Sequence, residues 1–215
     1  MSLLLPTDQP KRRLRLKRFY MAMGSYGLSA GLFALVLSFK PALLRPSDMI
    51  VLLACIVCSQ TYFFWQLRFG DTEDRDDPSM ALPQIIVCMT WHLFVVIASS
   101  DLRGIFMFGY IMPMMFGVLA LGPVALAIAA GYAVSTYTAV VVVDYFFLPA
   151  RFDAVAETSR IIVLSAVMAW AVLFGSYVSG LRNKLSRRNH ELRDALTDIR
   201  TLSTRDDLTQ AFNRR

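Results

Sequence analysis

From Ile105 to Tyr145 the chain carries a single charged side chain, Asp144. An apolar run of that length is about twice what one helix, rising roughly 1.5 Å per residue, needs to cross a hydrocarbon core of about 30 Å. It must fold back on itself, and Gly122-Pro123 is the place. This predicts one span ending near Leu121, with Pro113 as a kink, and another from Val124 to about Val143. Stretches of the same kind occupy Phe19 to Phe39, Met49 to Leu67, Ser79 to Ser99 and Arg160 to Gly180. With hydrophobic residues making up 56% of the chain, a six-span membrane protein fits far better than a soluble globule.

The connections carry the expected punctuation. Lys40 to Ser47 holds Pro41 and Pro46 and reads as a turn, after which Asp48 is placed to cap the second span. Gly70 to Asp77 is an acidic loop. Asp77-Pro78 reads as N-cap and first helical residue of the third span. Asp101 to Gly104 is a short turn, and Asp144 to Ser159 an outer loop.

Orientation follows the positive charge. Lys11 to Arg18 form a dense basic run before the first span, and Arg182, Lys184, Arg187 and Arg188 follow the last. Both termini are therefore expected on the cytoplasmic side, which requires an even number of spans. The net charge of +6 has its explanation in these flanks; no aromatic-interleaved basic groove or zinc-finger spacing points to nucleic acid. Phe19 to Phe39 is too long for a signal-peptide core and lacks a small-residue cleavage site, so it is expected to be retained.

Beyond the spans, Leu185, Asn189, Leu192, Leu196 and Ile199 are spaced four, three, four, three. That is a coiled-coil seam, and an Asn at a core position favours two parallel strands in fixed register. The expected architecture is all-α: a basic segment 1–18, a six-helix integral membrane bundle 19–180 and a cytoplasmic parallel coiled-coil helix 181–204. A homodimer in a lipid bilayer follows. Small residues four apart, Gly27 with Gly31, Gly175 with Ser179 and Ser176 with Gly180, suit close helix packing within a bundle or across a dimer.

Ionisable and polar residues inside the spans are the candidates for sensing. His92 is expected near one end of the third span with Cys88 a turn away on the same face, and Cys55 and Cys58 on the antiparallel second span at similar depth. Together they suit a soft metal or a redox pair. Trp91 and His92 equally suit the wall of a small-ligand pocket, and a structural His bonded across helices also fits. Asp101, Asp144 and Tyr145 are placed to ring a pocket mouth. The ligand itself is not legible.

The last residues narrow the class. Asp206, Leu208, Thr209, Asn213, Arg214 and Arg215 meet the pattern D-x-L-T-x-x-x-N-R-R. Directly after a membrane-proximal coil, this resembles the start of the GGDEF domain of diguanylate cyclases, with Gln210 where that family usually has Gly. Residues 205–215 then begin a GGDEF domain that the chain does not continue. The resemblance implies that the parent protein condenses two GTP into cyclic di-GMP with Mg²⁺. It also implies that the catalytic and metal-binding residues lie beyond Arg215, leaving no catalytic residue, cofactor or metal in this chain. The membrane block, with Asp77-Pro78-Ser79-Met80 and Gln84, is similar to the membrane-associated sensor modules of such cyclases in bacterial inner membranes.

A rival is the sensor region of a histidine kinase, because His190-Glu191-Leu192-Arg193 resembles a phosphoacceptor box; Asp194-Ala195 departs from it at once. A transporter or receptor for a small molecule is the other.

Overall fold

The structure, a computed structural model, describes residues 10–39, 45–70, 77–99, 102–148 and 152–204. The described residues contain helices and no strand: α1 Pro10–Phe39, α2 Pro46–Phe69, α3 Ala81–Ala98, α4 Arg103–Phe106, a 3₁₀ turn Met107–Tyr110, α5 Ile111–Ala120, α6 Pro123–Phe147 and α7 Ala154–Thr204. Counting α4 to α5 as one, six helices are long and apolar enough to cross a membrane. The chain divides into two compact units, Met1–Ser176 and Tyr177–Arg215.

In the first unit α3 is central, packing on α2, α4, α5 and α6. Small residues let the helices close. A Cβ on Gly117 would meet Leu126 at 3.0 Å and Ile85 at 3.1 Å, and one on Gly175 would collide with Leu126. Gly175 is thus spent on packing inside the bundle. Gly27 and Gly31 face open space. Met89, Met114, Leu126, Ala129, Ala133, Leu164 and Met168 fill the core.

Several boundaries differ from the sequence expectation, each for a local reason. The basic run Lys11 to Arg18 is helical and forms the opening turns of α1. Leu16 and Phe19 are buried against Phe63, Leu67 and Met80, and the Arg12 guanidinium donates to the Gly70 carbonyl at the end of α2 (3.3 Å), where the helix dipole favours a cation. In α2, Pro46 takes the first turn with Arg45 before it, so Asp48 supports the dipole there instead of capping.

The third span begins two residues later than expected. Met80 is left-handed (φ 51°), which turns the chain between Asp77 and Ala81. Asp77 still serves the helix: its Oδ2 accepts the Leu82 N–H at 2.9 Å and its Oδ1 the Ser79 hydroxyl at 3.1 Å, while Gln84 donates to the Ser79 carbonyl. Asp77→Ala is expected to cost about 1 kcal/mol, as loss of a cap does. A thermal melt indistinguishable from the parent's would show that the turn holds without the carboxylate.

The fourth span breaks before Pro113 rather than at it. Proline lacks the N–H that would reach the carbonyl four residues back, and its ring crowds that carbonyl, which belongs to Gly109 in the 3₁₀ turn. The fold-back at Gly122-Pro123 is where the sequence placed it. The expected loop Asp144 to Ser159 is mostly helical, since α6 continues to Phe147 and α7 opens at Ala154 with Asp153 Oδ1 accepting the N–H groups of Val155 and Ala156.

In the second unit the helix from Tyr177 carries Leu185, Leu192, Leu196 and Ile199 exposed at 60, 59, 50 and 61%. A surface ion pair, Arg187 to Glu191 at 2.9 Å, spans one turn. The GGDEF-like residues Asp206 to Arg215 lie outside the described residues.

Candidate functional site

Two polar constellations stand inside the first unit. The larger joins Arg103 at the start of α4, Tyr137 and Asp144 on α6, and Glu157 and Arg160 on α7. Arg103 donates from Nη2 to Asp144 Oδ2 (2.6 Å), from Nη1 to Glu157 Oε1 (3.1 Å) and from Nε to the Val96 carbonyl of α3 (3.3 Å). Arg160 reaches the same Glu157 oxygen at 2.6 Å, and the Tyr137 hydroxyl donates to Glu157 Oε2 at 2.8 Å.

Arg103 is 3% exposed and Glu157 7%. Two guanidinium groups facing two carboxylates leave no net charge to desolvate, and the tyrosine and the carbonyl take up remaining hydrogen-bonding capacity. The assembly is a clamp across four helices at the end of the bundle where α3 meets α4 and α6 meets α7. Its groups are all committed to one another. Chemically it can hold these helices in one arrangement.

The second constellation is built on His92. Its Nε2–H donates to the Phe106 carbonyl, where the α-helical register gives way to the 3₁₀ turn. The ring stands edge-on to Tyr110 (centroids 4.8 Å, 85°) and occupies the space a side chain at Gly109 would need. Tyr110 is fully buried, beside Thr136 and Tyr132, and Tyr132 bonds Thr90 at 2.7 Å. His92 is therefore tied to the backbone of the broken helix.

The sequence candidates fare unequally. Trp91 Nε1–H donates to Ser59 of α2 at 3.3 Å. The three cysteines and His92 do not gather: no three metal-ligating side chains come together among the described residues, Cys58 is exposed, and Cys88 adjoins Tyr26. Asp144 belongs to the buried clamp and not to a pocket mouth, while Tyr145 is exposed and contacts Phe146 and Phe152. Asp101 lies outside the described residues. Arg103, Glu157, Arg160 and Tyr137 were missed; the available signal was charge of opposite sign at the same end of successive spans.

No family model matches this chain, and neither the curated proteins nor the solved structures yield a match.

Proposed function

We propose that the chain is the sensory and signal-transmitting region of a membrane-bound diguanylate cyclase. In this reading the six helices cross a bacterial inner membrane with both termini cytoplasmic, and the chain precedes a GGDEF domain that makes cyclic di-GMP from GTP with Mg²⁺. The carrying observation is the exposed apolar seam of α7, which leads directly into the D-x-L-T-x-x-x-N-R-R sequence. Four large apolar side chains left half-open at heptad spacing are the arrangement a second copy would cover.

Each GGDEF domain would bring one GTP, so two must meet, and a parallel coil sets how they face. Ligand binding among the spans, with His92 beside the broken helix and Trp91 against Ser59 of α2 as candidates, would favour one of two arrangements of the bundle and so bias the coil. On this reading the clamp at Arg103 lies at the outer end and keeps spans four to six together while the coil responds.

The test is to read the coding sequence past Arg215 and assay the extended protein with GTP and Mg²⁺. Cyclic di-GMP formation would establish the class, and a different following domain would overturn it. Within this chain, Leu192→Asp places a charge in the seam and is expected to abolish dimers seen by crosslinking of the reconstituted protein. Dimers persisting at wild-type yield would remove the seam from the interface.

A further inference from the structure

Where α1 starts and α2 finishes, two contacts fix the level of one helix against the other. Arg12 bonds the Gly70 carbonyl, and two turns further on Phe19 meets Phe64 with ring centroids 6.1 Å apart. Between these contacts Arg13, Lys17 and Arg18 are exposed on one side of α1, while Leu16 and Phe19 are buried on the other. α1 contains no acidic residue, and none of the three cations is in an ion pair among the described residues. Arg13 and Lys17 stand one turn apart, where like charges repel. At the same level α2 ends in an exposed aromatic pair, Trp65 and Phe69, with centroids 4.7 Å apart and the Arg68 guanidinium 5.1 Å from the Phe69 ring.

The depth of this patch follows from the helix. From Phe19 to Phe39 α1 rises about 30 Å, the thickness of a hydrocarbon core, and Arg13 to Arg18 add about 7 Å, close to one headgroup layer. In a bilayer the three cations therefore lie among phosphates, and the aromatic pair lies at the interface that such side chains favour. A zwitterionic headgroup would bring its own cation against the guanidinium groups; an anionic one would relieve their repulsion. We infer that the opening turns of α1 and the end of α2 form a binding surface for anionic phospholipids. Arg13, Lys17 and Arg18 take the headgroup, and Trp65 with Phe69 the upper part of the acyl chains. The inference rests on the helices crossing a bilayer and not on the cyclase reading.

The test uses the full chain carrying Trp91→Phe and Trp170→Phe, which leaves Trp65 as the sole tryptophan, in phosphatidylcholine nanodiscs. Phosphatidylglycerol or phosphatidylcholine brominated in the upper acyl chain is added as a minor component at equal mole fraction, and quenching of Trp65 fluorescence is compared. One cation at an anionic headgroup gives about a fivefold preference, so the anionic lipid should quench at least about fivefold more. Replacing Arg13, Lys17 and Arg18 together by glutamine should bring the ratio close to one. Lys184→Gln with Arg188→Gln, on α7, should leave it unchanged. Native mass spectrometry of the parent protein, eluted in neutral detergent with both lipids, reads the same preference without the tryptophan replacements. Equal quenching by the two lipids, a ratio surviving the triple replacement, or an equal fall in the α7 variant would overturn the site. No quenching by either lipid would instead remove the bilayer reading on which the site stands.

Discussion

Arg103→Ala is expected to lower the melting temperature of the purified protein by roughly 10 °C, the consequence of losing about 3–5 kcal/mol when one partner of a buried ion pair is removed. The loss is large because the carboxylates of Asp144 and Glu157 stay behind, the second with only 7% of its side chain exposed. Arg160 would hold Glu157 in part, at 2.6 Å, but it does not reach Asp144 in the observed arrangement. Arg103→Lys keeps the charge without the planar fork that serves Asp144, Glu157 and the Val96 carbonyl together, so an intermediate melt is expected. Circular dichroism melts of the three proteins decide the matter. If alanine and arginine melt alike, the clamp contributes specificity rather than stability.

Gly109→Ala carries the second large effect, and its sign depends on His92. Alanine in place of glycine ordinarily stabilises a helical position by up to about 1 kcal/mol. Here the new Cβ would lie 2.5 Å from both Nδ1 and Nε2 of the His92 ring and closer still to Cε1. The ring is held by the Phe106 carbonyl and by Tyr110, so it cannot swing aside freely. Overpacking of this kind costs about 1–3 kcal/mol, which exceeds the helical gain. In a His92→Ala background the obstacle is gone, and Gly109→Ala should become neutral or stabilising. A double-mutant cycle from thermal melts reads this coupling directly; equal effects of Gly109→Ala in both backgrounds would refute it.

These two sites show what a sequence carries and what it withholds. Gly122-Pro123 was legible because a turn is written in neighbouring residues, and the six apolar helices were legible from length and hydropathy. Pro113 signalled a break correctly but displaced it, since proline acts on the turn before itself. Asp144, Glu157 and Arg160 looked like a hydrated loop because charge near a span end usually is one. The burial of the two carboxylates goes with Arg103, which stands 41 and 54 positions from them. No local pattern contains that pairing. His92 was recognised as exceptional, yet its acceptor is the main chain of Phe106, a partner without a sequence signature.

The bundle is held by different forces at its two ends. Where α1 and α2 meet Met80, the cluster of Leu16, Phe19, Phe63 and Leu67 is oily and non-directional. At the far end of α3, the contacts radiating from Arg103 are polar and fixed in angle. A detergent that competes for apolar surface acts on the first and has little purchase on the second. The fold therefore has a grain: solubilisation is expected to peel it from α1 inward, while α3, α4, α6 and α7 stay stapled at the opposite edge.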